Sequence, residues 1–84
     1  SGMYAMSIAI NQITGVNGAI QAGDRVDLVS VNAAGQAVDL LPDVLVLDRN
    51  STVLTLEVSQ AAALTVVQAE QHGNLTVLLR GIAR

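Results

Sequence analysis

The run from Thr52 to Arg80 constrains the fold most. Thr52 to Val58 alternates, with Leu54, Leu56 and Val58 on one face and Val53, Thr55 and Glu57 on the other. That is the period of a half-buried strand. Ser59 follows, its hydroxyl suited to accept from an orphan amide of a first helical turn. Gln60 to His72 carries Ala61, Ala62, Ala63, Leu64 and Ala69 with no Gly or Pro, which predicts a helix. Leu64 and Val67, flanked by Ala61 and Ala63, are its expected core stripe. Gly73 is the expected left-handed stop. Leu75 to Leu79 returns to a strand, with Leu75, Val77 and Leu79 on one face and Arg80 on the other. The helix is placed to cover one face of a sheet.

The preceding residues supply further strands. Tyr4 to Ile10 alternates larger side chains at 4, 6, 8 and 10 with small ones at 5, 7 and 9. Asn11 to Gly23 holds Gly15, Asn17, Gly18 and Gly23, so it reads as a structured crossover with room for a short helical turn. Ile13, Val16 and Ile20 are its expected core anchors. Arg25 to Val31 is a strand, and Asn32-Ala33-Ala34-Gly35 a turn. Gln36 to Leu41 is a strand expected to stop at Pro42, which cannot donate to a ladder. Val44 to Leu47 is a short apolar strand, buried on both faces or lying beside a break. Asp48 to Ser51 is the next turn. The fold class is mainly β (α+β): five to six short strands with one helix before the last strand.

An 84-residue chain holds one domain, residues 1–84, with a thin core. It has no Cys, Lys, Phe or Trp and a single Tyr. Val, Leu, Ile, Met and Ala must build the core, and no disulfide or thiolate metal site can help. A content of 51% hydrophobic and 13% charged residues is high in apolar surface for this size. Either that surface meets a partner or the chain is part of a longer protein, and the second is the expectation. The net charge of −3 and four scattered Arg exclude nucleic acid and disfavour an anionic membrane surface. No apolar run is long enough to insert in a bilayer. No signal peptide is visible, so any export signal is expected upstream.

The chemistry candidates are few. Asp24 and Arg25 fit a polar patch for a glycan or partner protein. They equally fit a local role, Asp24 bonding loop amides and Arg25 pairing with Asp27 or another carboxylate, and the local role is the expectation. Tyr4, with Met3 and Met6, fits an exposed contact patch, Met6 fitting the core as well. The candidate interaction residues are therefore Tyr4, Asp24 and Arg25. His72, the lone histidine, has no partner ligands in sequence and suits a helix C-terminus. Asp39, Asp43 and Asp48 lack the spacing of a calcium loop and are expected on the surface. Asn50-Ser51-Thr52 and Asn74-Leu75-Thr76 match a glycosylation pattern that is short and frequent by chance. No catalytic set, metal site or cofactor site is expected.

Four segments carry a resemblance. Gly2-Met3-Tyr4-Ala5-Met6-Ser7-Ile8 resembles the opening strand of SAF-related domains, commonly G-M-R-A-V-S-I. Val16 to Asp27 resembles V-x-G-x-I-x-x-G-D-R-V-D. Thr52 to Val58 with Ser59-Gln60-Ala61 resembles a T-V-x-L-x-V-x strand and its helix start. Ala69 to Arg80 resembles A-E-x-x-G-x-L-x-L-x-L-R. In this order the set is similar to the C-terminal domain of the Flp (Tad, type IVb) pilus assembly proteins CpaB/RcpC. Tyr4 stands where that family usually has Arg, and Ser59-Gln60-Ala61 replaces the usual Thr-Pro-Glu.

The resemblance implies a small β-clip, SAF-related domain excised from a membrane-anchored protein whose anchor and N-terminal SAF portion lie upstream. It implies a periplasmic, non-enzymatic assembly role beside the outer-membrane secretin or other Tad proteins, with a homo-oligomer as a further option. A peptidoglycan-binding SAF-like module is the alternative, weakened by the lack of Trp and Phe. A small substrate-binding or regulatory domain of a sugar-acid enzyme is the third.

Overall fold

A strand at one edge of this sheet is followed, three residues later in the chain, by the strand at the other edge. In the computed structural model, which describes residues 2–14, 19–73 and 75–81, β1 (Met3–Ala9) leads through a 3₁₀ turn (Ile10–Gln12) into β2 (Ile13–Thr14). Then come β3 (Arg25–Val31), β4 (Ala37–Arg49), β5 (Val53–Ser59), the helix α1 (Gln60–Glu70) and β6 (Leu75–Leu79). The six-stranded sheet has the order β1-β5-β4-β3-β6-β2. Laid flat, five strand spacings would separate β1 from β2 by ~24 Å. The four Cα steps from Ala9 to Ile13 reach at most ~15 Å. The sheet therefore curls, and its form is an open half-barrel.

The curl is built into β4. Its pairing with β3 shifts between Val26 and Leu28 and again between Leu28 and Val29, and its pairing with β5 shifts between Val46 and Asp48. At every shift the extra residue lies in β4. Such bulges bend a strand and sharpen its twist. The first one corrects the expectation that Pro42 ends a strand. Pro42 and Asp43 together face Asp27, so the missing amide falls inside a bulge rather than in the ladder. What read as two strands is one strand of 13 residues. Val44 and Val46 are buried while Leu47 is exposed, so the segment is covered on one face and lies beside the bulge.

The concave face holds the core: Ile8, Val26, Leu28, Val44, Val46, Leu54, Leu56, Val58, Leu75 and Val77 from the strands, with Ile13 and Ile20. Val16 lies outside the described residues. Helix α1 covers this face where β1, β5 and β4 lie. Ser59 caps it as expected, its hydroxyl accepting from the Ala62 amide at 3.1 Å. The buried stripe differs from the expected one. Val66 is fully buried, and Ala62, Ala63 and Ala69 pack beside it, whereas Leu64 is 60% exposed and Val67 47%. Small alanines let the helix axis come close to the sheet, and Val66 fills the space between. The helix also ends at Glu70, two residues before the expected His72. Gly73 keeps a positive φ of 144°, well past the left-handed helical value.

Local turns follow their side chains. The Asn32 carboxamide accepts from the Ala34 and Gln36 amides, and Gly35 takes φ 81°. The turn before β5 is carried by Asn50, whose Oδ1 accepts from the amides of Thr52 and Val53. Asp48 and Arg49, expected in that turn, belong to β4.

Candidate interaction surface

The three candidate residues lie in two places. Register aligns Arg25, Leu45, Glu57 and Ala5 in one row across four strands, so Arg25 sits three spacings, ~14 Å, from β1. Tyr4 pairs with Val58 and shares the concave side with Met6 and Ile8. Arg25 shares the convex side with Asp27, because Val26 between them is buried inward.

Asp24 and Arg25 have local partners. The Asp24 carboxylate accepts from the Gln21 amide at 2.9 Å. The Gly23 amide donates to the Val46 carbonyl, and the Val46 amide to the Asp24 carbonyl, both at 2.8 Å. The Gly-Asp turn is thereby stitched to β4. Arg25 reaches Asp43 rather than Asp27, with 3.9 Å between Nε and Oδ1 and an Nη1 donation to the Asp43 carbonyl at 3.3 Å.

Asp27 is already held by Arg80. The Arg80 Nε donates to Asp27 Oδ1 and Nη2 to Oδ2, while the Asp43 amide at the bulge donates to Oδ1 at 3.0 Å. The Arg80 guanidinium, helped by that amide, holds the Asp27 carboxyl far below the usual carboxylate range. Asp39 approaches the same carboxylate, and its own pKa is raised, first by its hydrogen bond to Asp27 and then by lost solvation. This network ties β3, β4 and β6 together on the convex face. It rests on pairs that no local sequence pattern marks, since Asp27 and Arg80 are 53 residues apart. Among the described residues no group of three or more His, Cys, Asp or Glu is placed to hold a metal ion. His72 is exposed just past the helix and lines a groove with Ser30, Val31, Asn32 and Ala69.

The other surface runs along β1. Tyr4, Ala5 and Met6 line a shallow groove of about 310 Å³ with Gln60, Ala63 and Leu64 of α1. Met3 and Tyr4 are about half exposed, as are Leu64 and Val67. None of the chain's 11 charged residues precedes Asp24, and none lies between Glu57 and Glu70. Both walls of the groove are therefore uncharged. β1 pairs with β5 without a bulge and, among the described residues, has no strand on its other side. Its edge amides and carbonyls are open to a further strand. Among the described residues, no helix is long and apolar enough to cross a membrane.

No curated protein and no solved structure matches the chain significantly. A family model, that of the Flp pilus assembly protein RcpC/CpaB, matches residues 1–51, which include β1 to β4 and the stitched Gly-Asp turn. By that match over more than half its length, the chain belongs to the RcpC/CpaB family of Flp pilus assembly proteins, and its role is in pilus assembly at the cell envelope.

Proposed function

We propose that this domain is a periplasmic, non-enzymatic scaffold of pilus assembly, working through β-edge or apolar-patch contacts with the outer-membrane secretin or with copies of itself. The open edge of β1 carries the reading. It is a regular strand of seven residues, bordered by exposed Met3, Tyr4 and Leu64 on a surface without charge. An added strand gains main-chain hydrogen bonds at such an edge, and the neighbouring apolar side chains supply selectivity. The convex network is a brace in this reading: Arg80 holds Asp27, Arg25 reaches the Asp43 carbonyl and carboxylate, and Asp24 accepts from the Gln21 amide.

Deletion of this domain from the full-length protein, with the rest of the protein still present at the envelope, is expected to abolish piliation. Normal piliation after that deletion would contradict the reading. The glycan alternative has less support. Tyr4, the lone aromatic, sits among Ala5, Met6, Ala63 and Leu64 with Gln60 as the polar neighbour, whereas a sugar site sets a ring beside several hydrogen-bonding groups. Retention on purified peptidoglycan would restore that alternative.

A further inference from the structure

We infer that the partner at the open β1 edge is a second copy of this chain, paired antiparallel about a two-fold axis through Met6. This deepens the scaffold reading and rests on it, since it names the occupant of the same edge.

The hydrogen-bond phase of β1 supports the pairing. The Ile10 amide donates to the Thr52 carbonyl at 2.9 Å, which continues the register that pairs Ala9 with Val53 and Ile8 with Leu54. In an antiparallel ladder bonded and non-bonded pairs alternate. Ile8, Met6 and Tyr4 therefore direct their amides and carbonyls to β5, and Met3, Ala5, Ser7 and Ala9 direct theirs to the open edge. Two copies related through Met6 place Ala5 opposite Ser7 and Met3 opposite Ala9 as bonded pairs. Every open amide then meets a carbonyl.

The side chains agree with that phase. On the concave side Tyr4 comes opposite Ile8 of the second copy, and Met6 opposite Met6. These are the non-bonded pairs, in which side chains lie closest. On the other side the small Ala5 and Ser7 meet. Large faces large and small faces small, so the strand is complementary to itself.

Charge favours a second copy as well. A chain of net charge −3 repels itself wherever carboxylates approach. Residues 2–23 and 58–69 hold no charged residue, and they form β1 and most of the helix beside it. Edges that must stay alone usually carry Lys, Pro, an inward charge or a bulge. β1 has none of these. The opposite edge is protected by brevity, β2 being two residues long.

The chain lacks cysteine, so single-cysteine variants report the register directly. Met6→Cys places the two new thiols in one non-bonded pair with Cα atoms ~4.5 Å apart, within disulfide reach. Tyr4→Cys separates them by four residues of rise, ~13 Å. Under mild oxidation M6C is expected to give a covalent dimer at least ten-fold faster than Y4C. Sedimentation of the unmodified chain is expected to show a dimer with a melting temperature that rises with concentration, and Ala5→Pro to show a folded monomer whose melting temperature does not, because the Ala5 amide faces the open edge. A monomer for the unmodified chain at high concentration overturns the inference, and so does Y4C linking as fast as M6C. Either result leaves the scaffold reading standing, since that depends on piliation in the deletion strain.

Discussion

Arg80 grips Asp27 side-on, Nε to one carboxylate oxygen and Nη2 to the other, at 3.2 Å for the second. Asp27 is only 13% exposed. The Arg80 amide also donates to the Arg25 carbonyl at 2.8 Å, so the strand after which Arg80 stands is fixed by its main chain and its side chain together. The pair locks β6 onto β3 on the face opposite the core.

The pH dependence of stability follows from this pair and its neighbour. The Asp27 pKa is depressed, so its stabilising contribution is complete above the ordinary value near 3.8 and is lost as pH falls toward the folded-state value. The Asp39 pKa is raised, so ionising Asp39 lowers stability as pH rises from 3.8 through its folded-state value. Asp39→Asn is expected to raise the melting temperature at about pH 7 and to lose that advantage near about pH 3, where the Asp39 carboxyl is itself neutral. Arg80→Ala is expected to lower the melting temperature at neutral pH and flatten the acid limb. Thermal melts across pH test both.

The bulge sets a second prediction. Asp43 has φ 57°, a conformation that costs a side-chain-bearing residue about 1–2 kcal/mol. Asp43→Val, which adds β-branching there, is expected to destabilise by at least that amount. Asp43→Gly is expected to leave stability nearly unchanged, relief of strain offsetting the lost exposed contact with Arg25. Urea unfolding of the two variants decides it.

The helix face is tested by a matched pair. Val66 is fully buried and Leu64 is 60% exposed. Val66→Ala is expected to cost about 1.5–3 kcal/mol, and Leu64→Ala less than about 0.5 kcal/mol. Ser59→Ala removes the cap on the Ala62 amide and is expected to cost about 1 kcal/mol. Denaturant midpoints of the three variants rank them.

Much of the fold was legible in the chain. The alternation in Arg25–Val31, Val53–Ser59 and Leu75–Leu79 marks those strands because each has one buried face. The Ser59 cap reads directly from sequence for the same local reason. Family membership was legible too, in segments such as Gly23-Asp24-Arg25-Val26-Asp27 that make a turn and start a strand. The long β4 was not legible, because Pro42 reads as a terminator unless the opposing Asp27 is known to face a bulge. The buried face of α1 was hidden by Ala61, Ala62 and Ala63, which spread apolar surface around the helix without choosing a side. The grip of Arg80 on Asp27 and the edge position of β1 depend on strand order, which local patterns do not encode. One signal for the β1 surface was present all the same: the absence of charge before Asp24.

The account stands on the open edge of β1 as the place where assembly contacts form. The most direct measurement is piliation in cells whose full-length protein carries Ala5→Pro, with protein level and folding of the domain confirmed. Proline there blocks an added strand from any partner while leaving the β1–β5 ladder intact. The expected result is normal protein and few or no pili. Wild-type piliation with the variant present at normal level would contradict the account.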